Sequence, residues 1–204
     1  MSIKYRTVDV EITGTFALLQ HRFGDAQEKG LKDTVARAMA QDKSPRDIAE
    51  AATYRDEEGY FYLPMAAVLR CVREAGSSHK MKGTRKSVKY VVPAAIRMLE
   101  ETAAILTLDG KKTKLCEVDS RSAVNPHTKG RVMTHRARWN EWKVRFQLKV
   151  NVNLLPIDVA HKLLEEGGEA IGVGAFRPEK GGPFGCFRVT KWEEQKEDTH
   201  AAAE

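Results

Sequence analysis

The sequence predicts an α+β fold. Segments whose apolar residues alternate, as in a strand, flank helical segments at both ends of the chain. The order is strand, helices, strand in the first half and strand, helix, strand in the last part. That order is typical of a ferredoxin-like antiparallel sheet with its helices on one face. We expect one domain over residues 1–192, with a long basic insertion at about 77–140 between the two halves.

The first half of the chain contains two predicted strands and three predicted helices. Apolar and polar residues alternate strictly over 7–13, which indicates a half-buried strand. A helical spacing of apolar residues follows at 31–39, and a second helix opens at Ser44-Pro45, where a first-turn proline is tolerated. The aromatic segment 60–63 predicts a short strand. A third helix begins at Pro64 and ends near Gly76.

The second half is predicted to be richer in strands. Residues 91–125 are typical of short strands with turns, including a hairpin at Asp109-Gly110. Residues 142–152 alternate over their whole length, with one fully apolar face. Pro156 begins a helix that we expect to stop at Gly167-Gly168, and a last strand follows around Phe187.

Composition excludes several classes of protein. The 204 residues include 34 Lys and Arg against 28 Asp and Glu, a formal charge of +6. No run approaches the roughly 18 apolar residues of a membrane span, and the first residues lack the apolar stretch of a secretory signal. Three widely spaced cysteines give neither a disulfide framework nor a metal knuckle. We therefore expect a cytoplasmic protein without a metal or cofactor.

The positive charge is concentrated in two segments. Residues 77–90 carry five basic side chains and no acid, and residues 121–149 carry eight against one acid, so the two segments hold +12 and the rest of the chain −6. This distribution favours a polyanion-binding surface over two solvated loops. The predicted contacts are Lys80, Lys82, Arg85, Lys86, Lys89, Arg121, Lys129, Arg131, Arg136, Arg138, Lys143, Arg145 and Lys149, with Arg22. The acidic segment 193–204 is predicted to be a disordered tail.

A glycine-rich stretch at 172–185 is a candidate phosphate loop. Its glycines are Gly172, Gly174, Gly181, Gly182 and Gly185, and Arg177 and Lys180 lie among them. Glycine lets the backbone approach a phosphate and expose its N–H groups. The stretch precedes a strand and lacks a Gly-Lys-Ser/Thr ending, so it is neither a P-loop nor a dinucleotide fingerprint. An ordinary turn between helix and strand is the alternative.

Aromatic residues beside the basic segments are candidates for base stacking. Tyr90 and Trp139 are the predicted stacking residues, whereas Trp142 fits the apolar face of its strand and is expected in the core. Lys143, Arg145 and Lys149 share the polar face of that strand. No helix shows a basic recognition face, which favours single strands over duplex.

His21 is the candidate catalytic residue if the protein is a nuclease. It follows the first strand, beside Arg22, and a histidine there can act as a general base on a 2′-hydroxyl. A phosphate contact or a packed strand end are the alternatives.

Several motifs resemble a family of conserved phage and prophage proteins without assigned function. They are His21-Arg22-Phe23, Val118-Asp119-Ser120-Arg121, Gly130-Arg131-Val132 and the stretch from Gly172-Val-Gly174 through Arg177-Pro to Gly181-Gly-Pro-Phe-Gly185. The resemblance implies a phage context, and hence a bacterial host cytoplasm, rather than an activity.

The pattern is also similar to the RAMP superfamily of CRISPR RNA-binding proteins. That resemblance implies a ferredoxin-like (RRM/RAMP-like) fold with basic insertions and a glycine-rich loop near the carboxyl end, here matched by Gly172, Gly174, Gly181, Gly182 and Gly185. RAMP backbone subunits polymerise along single-stranded RNA, and processing members cut RNA, often with a histidine.

The sequence therefore favours a non-enzymatic, phage-type protein that binds single-stranded nucleic acid, DNA before RNA, as a homo-oligomer along the strand. One alternative is a RAMP-like, metal-independent endoribonuclease. The other is a phage protein whose basic surface binds an acidic host or phage protein.

Overall fold

The computed structural model describes residues 4–22, 43–81, 83–124 and 129–195. In chain order its strands are β1 (Tyr5–Gly14), β2 (Leu18–Gln20), β3 (Tyr62–Pro64), β4 (Ile96–Met98), β5 (Thr102–Ala104), β6 (Glu117–Val124), β7 (Arg131–Trp139), β8 (Lys143–Asn151) and β9 (Phe187–Glu194). Its α-helices are α1 (Pro45–Ala51), α2 (Met65–Ala75), α3 (Val92–Ala95) and α4 (Ile157–Ala170).

The main sheet has four antiparallel strands in the order β4-β8-β1-β9. Helix α2 connects β1 towards β4, helix α4 connects β8 to β9, and the two helices pack against each other. This order and these two crossovers are those of the ferredoxin-like sheet. The predicted α+β class is confirmed.

Alternation along the two central strands builds the core. Val8, Val10 and Ile12 of β1 are buried, and β8 contributes Val144, Phe146, Leu148 and Val150. Both apolar faces lie on the side of the sheet that carries α2 and α4, because the apolar stripes of the two helices are buried in the same cluster. Trp142 is fully buried in that cluster, as the sequence predicts.

Segments inserted between the elements of the main sheet form two smaller sheets. One has the order β2-β7-β6, in which β6 and β7 make a long antiparallel hairpin, and the other pairs β3 with β5. The predicted turn at Asp109-Gly110 is present, since the Gly110 N–H donates to the Thr107 carbonyl over 2.9 Å. Strand β2 therefore joins a segment from the first half of the chain to the β6–β7 hairpin.

Helix α4 runs past Gly167 and Gly168, so the prediction that it stops there is wrong. A Cβ at Gly167 would lie 3.0 Å from Sγ of Cys71 on α2, and a Cβ at Gly168 would overlap the carbonyl oxygen of Phe187 on β9. The glycines allow the helix to approach both neighbours closely. They mark a packing surface and not a helix end.

Some sequence predictions fall outside the described residues: the helix at 31–39, Lys82, and residues 196–204 of the predicted tail. The start of that tail is corrected, because Glu193 and Glu194 belong to β9. Lys191 Nζ lies 2.9 Å from Glu193, and Arg6 lies 3.6 Å from Glu194. Within the described ranges, every helix is too short or too polar to cross a membrane.

Gly168→Ala tests the close packing of α4. At an ordinary helix position, alanine is more favourable than glycine by about 1 kcal/mol. Forcing a methyl group into a filled space, however, costs about 1–3 kcal/mol. We expect a net loss in the free energy of unfolding, measured by urea denaturation. Glu169→Ala, at an exposed position on the same helix, is the control and should change stability by less than about 0.5 kcal/mol. A Gly168→Ala protein as stable as the parent would contradict the packing described.

Candidate functional site

A cavity of about 550 Å³ lies where six parts of the chain meet. They are the end of β2, Tyr54, β3, the first half of α2, the middle of β7 and the glycine-rich loop. The cavity brings together sequence-predicted residues that are far apart in the chain, namely His21, Arg136, Gly172, Gly174, Arg177 and Lys180. Their convergence makes this cavity the candidate site.

The floor of the cavity is apolar and its rim is polar. Leu63, Cys71 and Val173 line it and are almost fully buried. His21 and Lys180 also line it but are exposed to solvent. A ligand entering the cavity therefore meets cationic and imidazole groups first and hydrocarbon below them.

The glycines shape the loop by allowing close contact between chain segments. A Cβ at Gly174 would lie 2.8 Å from Leu18 Cδ1, and a Cβ at Gly185 would overlap the Val173 carbonyl. Both have positive φ, 78° and 70°, which side chains rarely adopt. The Ala175 N–H donates to the Leu19 carbonyl over 2.8 Å, which fastens the loop to β2.

Arg177 holds the loop together and is not free for a ligand. Its guanidinium donates to Glu179 Oε2 over 2.7 Å and 3.0 Å and to the Gly174 carbonyl over 2.8 Å. The other Glu179 oxygen accepts from Arg70 of α2 over 2.6 Å. The predicted role of Arg177 as a phosphate contact is therefore corrected to a structural one. Sequence reasoning missed Arg70 and Glu179, which hold the loop against α2.

Arg136 presents a buried donor without a partner. Its Nε is buried and makes no hydrogen bond among the described residues. Asp119 stands opposite Arg136 in the β6–β7 register, but its carboxylate receives two 2.6 Å hydrogen bonds from Arg121 and also lies 3.7 Å from Arg138. Burial lowers the pKa of Arg136, the negative charge of Asp119 opposes that effect, and nearby Arg121 adds to it. A buried guanidinium N–H without an acceptor at a cavity wall indicates a place for a hydrogen-bond acceptor such as an anion.

His21 is held in its neutral form near pH 7. Although His21 is exposed at the surface, the protein atoms around its ring partly desolvate it and lower its pKa below the ordinary 6.5, and the positive charge of Arg136 lowers that pKa further. A neutral imidazole beside a cation can accept a proton or donate a hydrogen bond to a phosphate.

Ion pairs neutralise several of the predicted phosphate contacts. Lys89 pairs with Glu74 over 2.6 Å, and Lys143 and Arg145 both pair with Glu11, over 3.3 Å and 2.7 Å. Although burial alone raises the pKa of Glu11, hydrogen bonds from Arg145, Thr190 and Lys143 keep it below its ordinary value. On the polar face of β8, opposite the helices, Glu11 thus pairs with two of the three predicted cations, and Lys149 stays without an acidic partner among the described residues.

The other predicted cations are exposed or half-buried, and no acidic side chain among the described residues pairs with them. Besides Arg136 they are Arg22, Lys80, Arg85, Lys86, Lys129, Arg131, Lys149 and Lys180. Lys180 and Arg136 line the cavity, and Arg22 directly follows His21. Arg131 begins β7, and Lys129 lies two residues before it.

The two predicted stacking residues, Trp139 and Tyr90, differ in their exposure to solvent. Trp139 is only 5% exposed, packs edge-on against Phe61 and donates its Nε1–H to the Leu115 carbonyl over 3.0 Å, so the prediction that it stacks on bases is wrong. Tyr90 is 76% exposed and stays a candidate. The cavity wall carries two further rings, Tyr54 and Phe176, of which sequence reasoning missed Tyr54.

The described residues contain no cluster of three or more His, Cys, Asp or Glu side chains that could hold a metal ion.

No protein-family model matches the chain, and no curated protein matches it. Solved structures do match. A chain in the cryo-EM structure of the Type III-B Cmr-beta complex bound to cognate target RNA aligns with a TM-score of 0.50 at 15% identity, covering 95% of this chain and 61% of that one. The crystal structure of Cmr6 from Pyrococcus furiosus aligns with a TM-score of 0.45 at 11% identity, covering 92% and 99%.

At this identity the likeness concerns the fold. The chain spans about three-fifths of the length of the Cmr-beta chain it matches. The fold of this chain is therefore similar to that of the Cmr-beta chain, in agreement with the predicted α+β class.

The pKa of His21 tests the geometry of the site. We expect the imidazole to titrate below 6.5 in an NMR titration of its Cε1–H signal, and Arg136→Gln to raise that pKa towards 6.5. Arg145→Gln, on the other face of the main sheet, should leave it unchanged. Because the unfolded chain binds this proton more tightly than the folded protein, the contribution of His21 to stability falls as the pH drops through 6.5. A His21 pKa at or above 6.5 would place the ring away from Arg136.

Proposed function

We propose that this chain binds single-stranded nucleic acid, with the phosphate backbone crossing the rim of the cavity beside the glycine-rich loop. Arg136 and Lys180 supply positive charge there, the Arg22 guanidinium lies over the Tyr54 ring at 5.7 Å, and the His21 ring supplies a polar group. Further positive charge lies at Arg131, on the opposite face of β7 from Arg136, and at Lys129, which precedes that strand. Phosphate neutralisation by such cations is the main source of affinity for nucleic acids.

The observation that carries the proposal is the buried, unpartnered Nε of Arg136. A buried guanidinium N–H without an acceptor is costly unless a ligand supplies one. A phosphate oxygen is a suitable acceptor, because guanidinium groups bind phosphates with charge-assisted hydrogen bonds. Asp119 does not fill this role, because its carboxylate accepts from Arg121 and acts on Arg136 through its charge without a hydrogen bond to Nε.

RNA is the favoured ligand in this proposal. The sequence alone inclined towards DNA through the phage resemblance, whereas the matched chain of the same fold comes from a complex bound to target RNA. Assembly of several copies along one strand and a phage setting are further parts of the proposal, and they rest on the sequence resemblances.

Replacing Arg136 tests the binding site directly. Arg136→Gln should weaken binding of a single-stranded RNA by about tenfold and reduce the slope of log K against log salt by about one. Fluorescence anisotropy over about 50–200 mM salt measures both quantities, with matched DNA and duplex RNA for comparison.

Arg145→Gln is the matched control, because it removes the same charge from a residue paired with Glu11. Equal losses from the two substitutions would mean that binding depends on net charge and not on the cavity. Absence of binding to any single strand at low salt would refute the proposal.

A second candidate function, metal-independent cleavage of RNA, is favoured by the neutral His21 beside Arg136. The imidazole would take the proton of a 2′-hydroxyl, whose oxygen attacks the adjacent phosphorus. The 5′-oxygen leaves and gains a proton, giving a 2′,3′-cyclic phosphate, with Arg136 stabilising the charge on phosphorus.

Cleavage of labelled RNA in EDTA distinguishes the two functions. For a binding protein we expect intact RNA after prolonged incubation. Cleavage that persists in EDTA, stops in His21→Ala and continues in His161→Ala would establish the nuclease instead. DNA, which lacks the 2′-hydroxyl, should stay intact in either case.

A further inference from the structure

We propose that the cavity takes in one base extruded from the bound strand and that Phe176 stacks on it. This inference rests on the proposed single-strand binding and adds to it a defined position along the strand. It follows from the shape of the cavity and from the unusual way in which the chain holds Phe176.

The cavity is the right size and polarity for a base whose phosphates stay outside. Its volume of about 550 Å³ falls within the roughly 300–1,000 Å³ of small-molecule sites. The buried Leu63, Cys71 and Val173 exclude a phosphate from the floor, because an unpaired charge there would lose its hydration. A base has apolar faces and can enter while Arg136 and Lys180 keep its phosphates at the rim.

Phe176 is held at the cavity in a strained conformation. Its φ is 51°, a left-handed value that bulky residues rarely adopt, and its side chain is 37% exposed at the cavity wall. Gly182 makes this possible, because a Cβ there would lie 2.6 Å from the Phe176 ring. Such strain persists where the surroundings impose it, and it is concentrated at functional sites.

Two neighbours pack against the Phe176 ring. Phe184 is buried and tilted by 30° to it, with the ring centroids 6.0 Å apart, and the Arg121 guanidinium lies over the Phe176 ring, 6.0 Å from its centre. Tyr54 is a second ring on the cavity wall, tilted against Tyr62 at 5.6 Å. The cavity therefore has aromatic groups on two chain segments, as sites that bind an extruded base do.

An abasic scan tests the inference. In a set of single-stranded RNA oligonucleotides just long enough for one protein, each member lacks one base, and anisotropy measures its affinity. We expect one position at which loss of the base weakens binding by about tenfold, within the range of a stacked base. A scan with equal affinities at all positions would refute the pocket while leaving the single-strand binding intact. Absence of binding by the intact oligonucleotide would instead refute the proposed function.

Phe176→Leu identifies the stacking ring. It keeps an apolar side chain beside Phe184 but removes the aromatic face. It should therefore weaken binding of the intact strand by about tenfold, and removal of the base at the sensitive position should then cause no further loss of affinity. Phe176→Tyr should restore both properties.

Phe16→Leu is the matched control, because Phe16 is 46% exposed and also packs on Phe184, 5.5 Å away, but does not line the cavity. Thermal melting verifies that each variant is folded. Persistence of the sensitive position in a folded Phe176→Leu protein would overturn the role of Phe176.

Discussion

Close approach of backbone to backbone at glycine is the constraint on which the rest of the structure depends. Gly168 brings α4 against β9, Gly174 brings the loop against β2, and Gly185 brings the loop back onto its own first residues. Each contact leaves no room for a Cβ. Because β2 pairs with β7, the loop that follows α4 also sets the distance between the main sheet and the inserted sheet. The cavity is the space that remains between them, and its walls are therefore fixed by packing and not by loop conformation alone.

The same packing separates the positive charge of the chain into two populations. On the outer face of the main sheet, β1 places Glu11 between Lys143 and Arg145, so one carboxylate offsets part of the charge of a basic strand. At the cavity, Asp119 accepts from Arg121, and the Nε of Arg136 has no acceptor among the described residues. The net charge of +6 says little about binding by itself. A cation that faces an acid on the neighbouring strand is less available to a polyanion, so the pairing of the strands determines where a polyanion can bind.

Much of the fold could be predicted because its strongest elements are locally periodic. Strands β1 and β8 alternate, helices α2 and α4 have continuous apolar stripes, and their order leads to the ferredoxin-like sheet. The site was less accessible to sequence reasoning. Trp139 lies in a charged segment of the sequence, but the pairing of β7 with β2 places its ring in the core. The pairing of Glu11 with β8 depends on a register between strands more than a hundred residues apart, and the left-handed conformation of Phe176 has no signature in composition.

Photocrosslinking of a bound single-stranded RNA, with peptide mapping by mass spectrometry, tests the central claim most directly. The account predicts crosslinks in the cavity segments, at Tyr54 and in residues 171–180, because the strand crosses the rim between the glycine-rich loop and α2. Crosslinks concentrated on the outer face of the main sheet, at Arg145, Lys149 or Lys191, would contradict it. That result would mean that the outer face of the main sheet binds the strand and that the cavity does not.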